Sequence, residues 1–194
     1  SCNVTPVRNT DTGHCYYTVT GTEFDPLYTS DNCGIASVVN NINGTSTLDG
    51  AQITDGTEVT WTITDYSSNT DQCSFTVTVI YNQNPTFNCI TDPTKNADAG
   101  QCYYTVSGTE FDPTDVSDNC GVASIVNDFN GSSTLADEQI TNGTTITWTI
   151  TDDNSNTAQC SYTVTLNDNE NPVITSTHND LTINDEGSCQ ATLP

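Results

Sequence analysis

The sequence predicts an all-β chain, and three observations carry the expectation. Apolar and polar residues alternate with a period of two: Val59, Trp61 and Ile63 do so in the stretch 57–65, and Phe75, Val77 and Val79 in 73–80. That period puts successive side chains on opposite faces of a half-buried strand. The pattern then recurs, because a shift of 87 places aligns Cys2 with Cys89, Cys15 with Cys102, Cys33 with Cys120 and Cys73 with Cys160 without a gap. Finally, no segment carries an apolar stripe of helical period, and Thr and Asn fill positions where helix formers usually stand.

Within the first unit, strands are expected near 3–9, across Cys15, Tyr17 and Val19, which share one face, and at 35–42, 51–54, 57–65 and 73–80. Turn signals at Asp11-Thr12-Gly13, Asn43-Gly44 and Asp55-Gly56 separate them. The repeat carries these elements into the second half: CYYTVTGTEFDP at 15–26 returns as CYYTVSGTEFDP at 102–113, SDNCG at 30–34 returns at 117–121, and TWTITD at 60–65 returns at 147–152. Roughly seven short strands in under ~100 residues, with a Trp on one of them, predict an immunoglobulin-like β-sandwich. The chain therefore reads as beads on a string, with one repeat at 1–84, a second at 85–171 and the start of an incomplete third at 172–194. In that third segment Gly187 matches Gly100 and Cys189 matches Cys102. A strand without its sheet leaves backbone groups unpaired. The natural molecule is accordingly expected to be longer than this window, or the tail to complete another chain's sheet by strand donation.

Composition narrows the function classes. The 194 residues include 25 Asp and Glu against 2 Lys and Arg, for a formal net charge of -23. Affinity for nucleic acid comes from cations neutralising phosphates, so a nucleic-acid partner is excluded, and an anionic membrane surface is excluded on the same ground. No apolar run is long enough to insert into a membrane. The hydrophobic share is 33%, which with high charge suggests disorder, but 9 Cys, 8 Tyr and 2 Trp in alternating strands are the wrong ingredients for a solvated coil. So many cysteines point to a secreted or cell-surface location, where disulfides persist and compensate for small cores.

The order of a Cys, a second Cys, Asp-Asn-Cys, then Gly-Thr before an alternating strand ending in Thr-Asp, a short Ser/Asn loop and Cys-Ser-Phe-Thr-Val-Thr-Val resembles the hyalin repeat (HYR) module. The resemblance covers both full units and the start of the third. It departs at the Thr-Asp loop, where the Gly-Asn common in the family reads Ser68-Asn69 and Ser155-Asn156. It implies an immunoglobulin-like fold, an extracellular adhesive or matrix setting, tandem arrays and no enzymatic activity. Family members with only two cysteines resemble this chain at the first and fourth positions, which implies that Cys2 pairs with Cys73 and Cys89 with Cys160. On that implication Cys15–Cys33 and Cys102–Cys120 are the remaining pairs, and Cys33–Cys73 is the competing scheme. Ser176 replaces the first cysteine of the third unit while Cys189 keeps the second, which argues against a first-to-second pairing.

The carboxylates recur at fixed places. Glu23, Asp25, Asp31 and Asp65 return as Glu110, Asp112, Asp118 and Asp152, and the linkers add Asn82, Asn84, Asp168 and Glu170. In a sandwich, the loops after the second and sixth strands share a pole with the incoming linker. Calcium takes about six to eight oxygen ligands, so calcium at the module junctions is one expectation. Ordinary turn chemistry, in which Asp and Asn hydrogen-bond the nearby backbone, is the other.

The remaining residues offer no catalytic set. His14 and His178 occupy different repeat positions, which argues against a zinc site or a Ser-His-Asp triad, and every paired carboxylate is duplicated at the repeat period. Tyr16-Tyr17 and Tyr103-Tyr104 read as one core and one surface ring each. Asn3, Asn43, Asn130 and Asn142 lie in glycosylation sequons. The expected role is a non-catalytic adhesive or structural segment of a long extracellular protein or filament, whose partners are neighbouring repeats of the same protein or fibre. The alternative is a module that binds glycans or proteins through one loop pole. Its specificity positions would be those where the repeats differ, Leu27/Thr114, Tyr28/Asp115 and Asp49-Gly50/Ala136-Asp137.

Overall fold

The computed structural model describes residues 5–173, and Cys2, Asn3 and the segment 174–194 lie outside them. The first unit contains β1 (Val7–Asn9), β2 (Tyr17–Thr18), β3 (Ile35–Asn40), β4 (Gln52–Ile53), β5 (Thr57–Asp65) and β6 (Thr70–Ile80). The second contains β7 (Thr86–Asn88), β8 (Thr94–Asn96), β9 (Tyr103–Thr105), β10 (Thr114–Ser117), β11 (Val122–Asn127), β12 (Gln139–Thr141), β13 (Thr145–Asp152), β14 (Thr157–Thr163) and β15 (Thr165–Asn167). Among the described residues there is no helix, so the chain is all-β.

Both units use one topology. In the first, a sheet runs β1-β6-β5-β3, with β1 parallel to β6 and the other neighbours antiparallel, and β2 pairs with β4 separately. In the second, β11-β13-β14, the parallel pair β8-β15 and the antiparallel pair β9-β12 repeat these relations, while β7 with β10 adds a pair. The positions matching β10 in the first unit, 27–30, are not in a strand. Leu27 and Tyr28 stand there where Thr114 and Asp115 stand in the second unit.

Alternation fixes which side chains go inside. Val59 and Trp61 on β5 and Phe75, Val77 and Val79 on β6 meet Val19, Leu48 and Ile53 in one cluster, so both sheets contribute to a single core. Val106, Phe111, Leu135, Ile140, Ile146, Trp148, Tyr162 and Val164 form a separate cluster in the second unit. The intervening threonines ladder across strands, as between Thr60 and Ser74 and between Thr145 and Thr163. At Asn43-Gly44 and Asp55-Gly56 the glycines take φ of +71° and +74°, the left-handed backbone that lets the chain reverse at no Cβ cost.

The long strand β6 sets the polarity of the unit. The loop 65–70 and the start of β3 lie at one end, because Ile35 pairs with Asp65 and β5 turns into β6 there. The end of β6 lies at the other, where Thr10 donates to the Ile80 carbonyl and the turn beginning at Asp11 follows. The 11 residues of β6 separate these poles by roughly 35 Å at ~3.3 Å per residue. We call the first the entry pole, which carries Cys33, and the second the exit pole, which carries Cys15.

Candidate functional site at the module junction

The exit pole of the first unit meets the entry pole of the second, and among the described residues a disulfide and two side-chain hydrogen bonds join them. Cys15 and Cys120 form a disulfide with Cα atoms 5.0 Å apart, across 105 residues of sequence. Beside it, the Asn119 side-chain amide donates to the His14 carbonyl at 2.6 Å. On the other side of the linker, the Asn156 amide donates to the Tyr81 carbonyl at 3.1 Å. The second unit thus grips the first through its SDNCG loop and its 152–157 hairpin turn.

Both partners of the bridge are positioned by local hydrogen bonds that the sequence encodes. Asp118 accepts the Cys120 backbone N–H at 2.7 Å, which folds the loop tightly ahead of Gly121, whose φ of +106° an L side chain rarely adopts. On the facing surface, His14 donates its N–H to the Asp11 carbonyl, closing the turn that presents Cys15. Gln83 of the linker clamps that turn, its Oε1 accepting from Gly13 at 2.8 Å and its Nε2 donating to the Asp11 carbonyl at 3.1 Å.

This arrangement corrects two expected pairings. Cys15 does not bond Cys33 and Cys102 does not bond Cys120, and Cys33 and Cys102 are free and exposed. The reason is the polarity of the fold: Cys15 and Cys33 stand at opposite poles of one unit, whereas a disulfide needs Cα atoms within ~7 Å. Only head-to-tail stacking brings an exit-pole cysteine to an entry-pole one. Cys89 and Cys160 are bonded within the second unit, with Cα atoms 6.3 Å apart. Cys73 is also disulfide-bonded, so it is not the partner of the free Cys33, and Cys2, its expected partner, lies outside the described residues.

The ten acidic residues among the twelve expected calcium ligands form no group of three among the described residues. Among the described residues, no three His, Cys, Asp or Glu side chains come together in a way that holds a metal ion. Their oxygens accept N–H groups instead. Asp25 caps the Leu48 N–H at 2.9 Å and Asp112 the Leu135 N–H at 2.9 Å, each tying one loop to another. Asp31 and Asp118 cap Cys33 and Cys120. Asp65 takes the N–H groups of Ser67 and Asn69 and the Asn69 amide, and Asp152 does the same with Asn154 and Asn156. Hydrogen bonding to Asn69, chiefly its side chain, and to Ser67 holds the Asp65 carboxyl below the usual range, outweighing desolvation. In the second linker Asp168 caps the Glu170 N–H, and the Glu170 carboxylate accepts from Gly100 at 2.9 Å. Asn82 and Asn84 stand exposed in the first linker.

Glu23 and Glu110 bind the two basic residues of the chain. Arg8 reaches Glu23 at 2.7 Å, and Lys95 pairs with Glu110 one repeat length later. Each cation lies over two rings, Arg8 over Tyr17 and Phe24 and Lys95 over Tyr104 and Phe111, at 5.1 to 5.8 Å from the centroids. Desolvation pushes both glutamates up, but hydrogen bonds from the cation, the tyrosine hydroxyl and the Thr20 or Ser107 N–H hold them below the usual range. Near the Arg8–Glu23 pair a cavity of about 860 Å³ opens in the first unit, lined by Phe24, Leu27, Tyr28, Trp61 and Phe75. Leu27 and Tyr28 are 85% and 94% exposed there.

The sequons at Asn43 and Asn130 are folded into turns, where each side-chain amide donates to the carbonyl of Thr47 or Thr134. No described helix is long and apolar enough to cross a membrane.

Two strand-built units of equal topology, tied head to tail by a covalent bridge, define an all-β repeat chain with a cross-linked junction. Comparison with protein families gives the second step: residues 82–166, the second unit, match the HYR domain. HYR domains occur in extracellular, adhesion-type proteins, and the disulfides fit that setting. No match was found among curated proteins.

Proposed function

We propose that this chain is a non-catalytic structural segment of an extracellular repeat protein, in which immunoglobulin-like modules form a stalk or fibre and the load-bearing element is the covalent junction between them. The Cys15–Cys120 bridge is the observation that carries this reading. Domains joined only by a short linker move relative to one another by default. A disulfide outside the linker, flanked by hydrogen bonds on two sides, removes that freedom. The acidic surface suits the same role, since net charge far from zero keeps neighbouring arrays apart. Stiffness is assigned to the bridge rather than to calcium, because the acidic side chains at the poles tie down separate backbone N–H groups and no three of them gather among the described residues. Small-angle scattering tests the proposal: the oxidised chain should scatter as one rigid particle, and Cys15→Ser should give a broader, flexible ensemble. An unchanged profile would remove the mechanical role of the bridge.

The cavity beside Leu27 and Tyr28 favours a second reading, recognition of a glycan or protein by the first unit alone. Exposed aromatic and apolar surface beside an Arg suits a sugar ring or an apolar peptide side chain. Selective binding on a glycan or protein array that disappears in Tyr28→Ala would support it, and binding unaffected by that change would not.

A further inference from the structure

Cys33 and Cys102 are the two halves of the junction bridge, left open. Cys102 stands one repeat length after Cys15, at the exit pole of the second unit, and Cys33 one repeat length before Cys120, at the entry pole of the first. Both surfaces already have the local form of their bonded counterparts. Asp31 accepts the Cys33 N–H at 2.7 Å, as Asp118 does for Cys120, and Gly34 and Gly121 take φ of +97° and +106°. Gln101 donates to the Asp98 carbonyl as His14 does to Asp11, and Glu170 clamps Gly100 as Gln83 clamps Gly13. Asn32 occupies the position of Asn119, the donor to the facing turn, and is exposed.

We infer that Cys102 of one copy bonds Cys33 of a second copy in the same head-to-tail contact that joins the units within the chain. Such a contact is heterologous, since different surfaces meet, and a further copy can add through the same pair of cysteines. The inference rests on the junction described above.

The chemistry needs an oxidant, and a small-molecule disulfide supplies it. One cysteine thiolate attacks the oxidised glutathione disulfide, displacing one glutathione thiolate and forming a mixed disulfide. The second thiolate then attacks the protein sulfur of that mixed disulfide and releases the other glutathione. One S–S bond breaks and one forms, two electrons pass to glutathione, and the two protein protons end on the glutathione thiols.

The test mixes the full-length variants Cys33→Ser and Cys102→Ser with oxidised glutathione at ~0.15 M salt, where like-charge repulsion is screened beyond about 8 Å. Cleavage before aspartates without reduction then places Cys33 in peptide 31–48, Cys102 in 98–111, Cys15 in 11–24 and Cys120 in 118–127. The inference predicts a 31–48 to 98–111 link in at least tenfold excess over either self-link, and a ladder of multimers from the wild-type chain. Absence of that link, or self-links in equal amount, overturns it. The 11–24 to 118–127 link in the same digest reads the internal junction separately: its presence without the intermolecular link sinks this inference alone, and its absence sinks the junction as well.

Discussion

The Trp61 indole donates directly to the Phe24 carbonyl at 3.1 Å, and in the second unit a hydroxyl stands between the corresponding groups. There Trp148 donates to the Tyr162 hydroxyl at 3.3 Å, which donates in turn to the Phe111 carbonyl at 2.7 Å. Phe75 occupies the matching position of the first unit, so the two cores satisfy one buried N–H in two ways. Tyr162→Phe should therefore cost only about 1 kcal/mol at neutral pH, because the direct bond seen at Trp61 is open to Trp148. Burial, only partly offset by the Trp148 hydrogen bond, pushes the Tyr162 hydroxyl up to about 12. The folded state then holds a proton that the unfolded chain releases near 10, so this contribution is intact below pH ~10 and is lost as pH rises to about 12. Urea unfolding against pH checks it: the variant should lack that part of the alkaline loss.

Arg8 and Lys95 are placed to hold a glutamate and two rings each, so removing either should loosen its own unit. Arg8→Ala and Lys95→Ala should each destabilise by about 1 kcal/mol, a figure reduced for partial exposure. The sign of the pH dependence follows from the shifts. Glu23 and Glu110 are depressed, so their contribution is full above the ordinary glutamate range and disappears as pH falls through the lowered values. The hydrogen bond from Lys95 to Glu110 raises Lys95, whose contribution is full below the ordinary lysine range and is lost as pH rises through the raised value. Acid titration of stability should be flatter in Lys95→Met/Glu110→Gln than in the parent chain.

Asp152 and Asp65 make the same three hydrogen bonds, but Asp152 is buried and also organises the turn whose Asn156 reaches Tyr81. Asp152→Ala should cost about 3 kcal/mol by leaving buried donors unpaired, and Asp65→Ala distinctly less. Denaturant midpoints of the two variants give the comparison, and equal losses would contradict the role given to burial.

Much of the fold was legible in the sequence. Alternation at Val59, Trp61 and Ile63 and at Phe75, Val77 and Val79 gave β5 and most of β6, and the turn glycines ended the right strands. Short elements such as β4 are two residues long and carry little periodic signal. The junction was hidden for a different reason. Cys33 and Cys120 differ by one repeat, so a periodic pattern assigns Cys15 to either equally well. What separates them is distance along β6, and the length of that strand holds the signal: two cysteines on opposite poles cannot close within a unit. The acidic residues were legible as positions but not as roles, because a carboxylate awaiting an N–H donor and one awaiting a cation have the same spacing.

Stability should respond to reductant and not to chelator. With the junction held by Cys15–Cys120 and the second unit by Cys89–Cys160, a reducing agent should lower the melting temperature, since a disulfide contributes about 2 to 4 kcal/mol. A calcium chelator should leave it unchanged. A fall on chelation, restored by millimolar Ca2+, would return calcium to the poles.

The linker offers the most direct measurement of the cross-linked junction. With a protease recognition sequence inserted between Asn84 and Pro85, cleavage divides the chain between the two units, and the Cys15–Cys120 bond spans the cut. On a denaturing gel the cut protein should run as one species of full mass without reductant and as two fragments with it, and Cys120→Ser should give two fragments in either case. Separation of the wild-type halves without reductant would contradict the covalent junction.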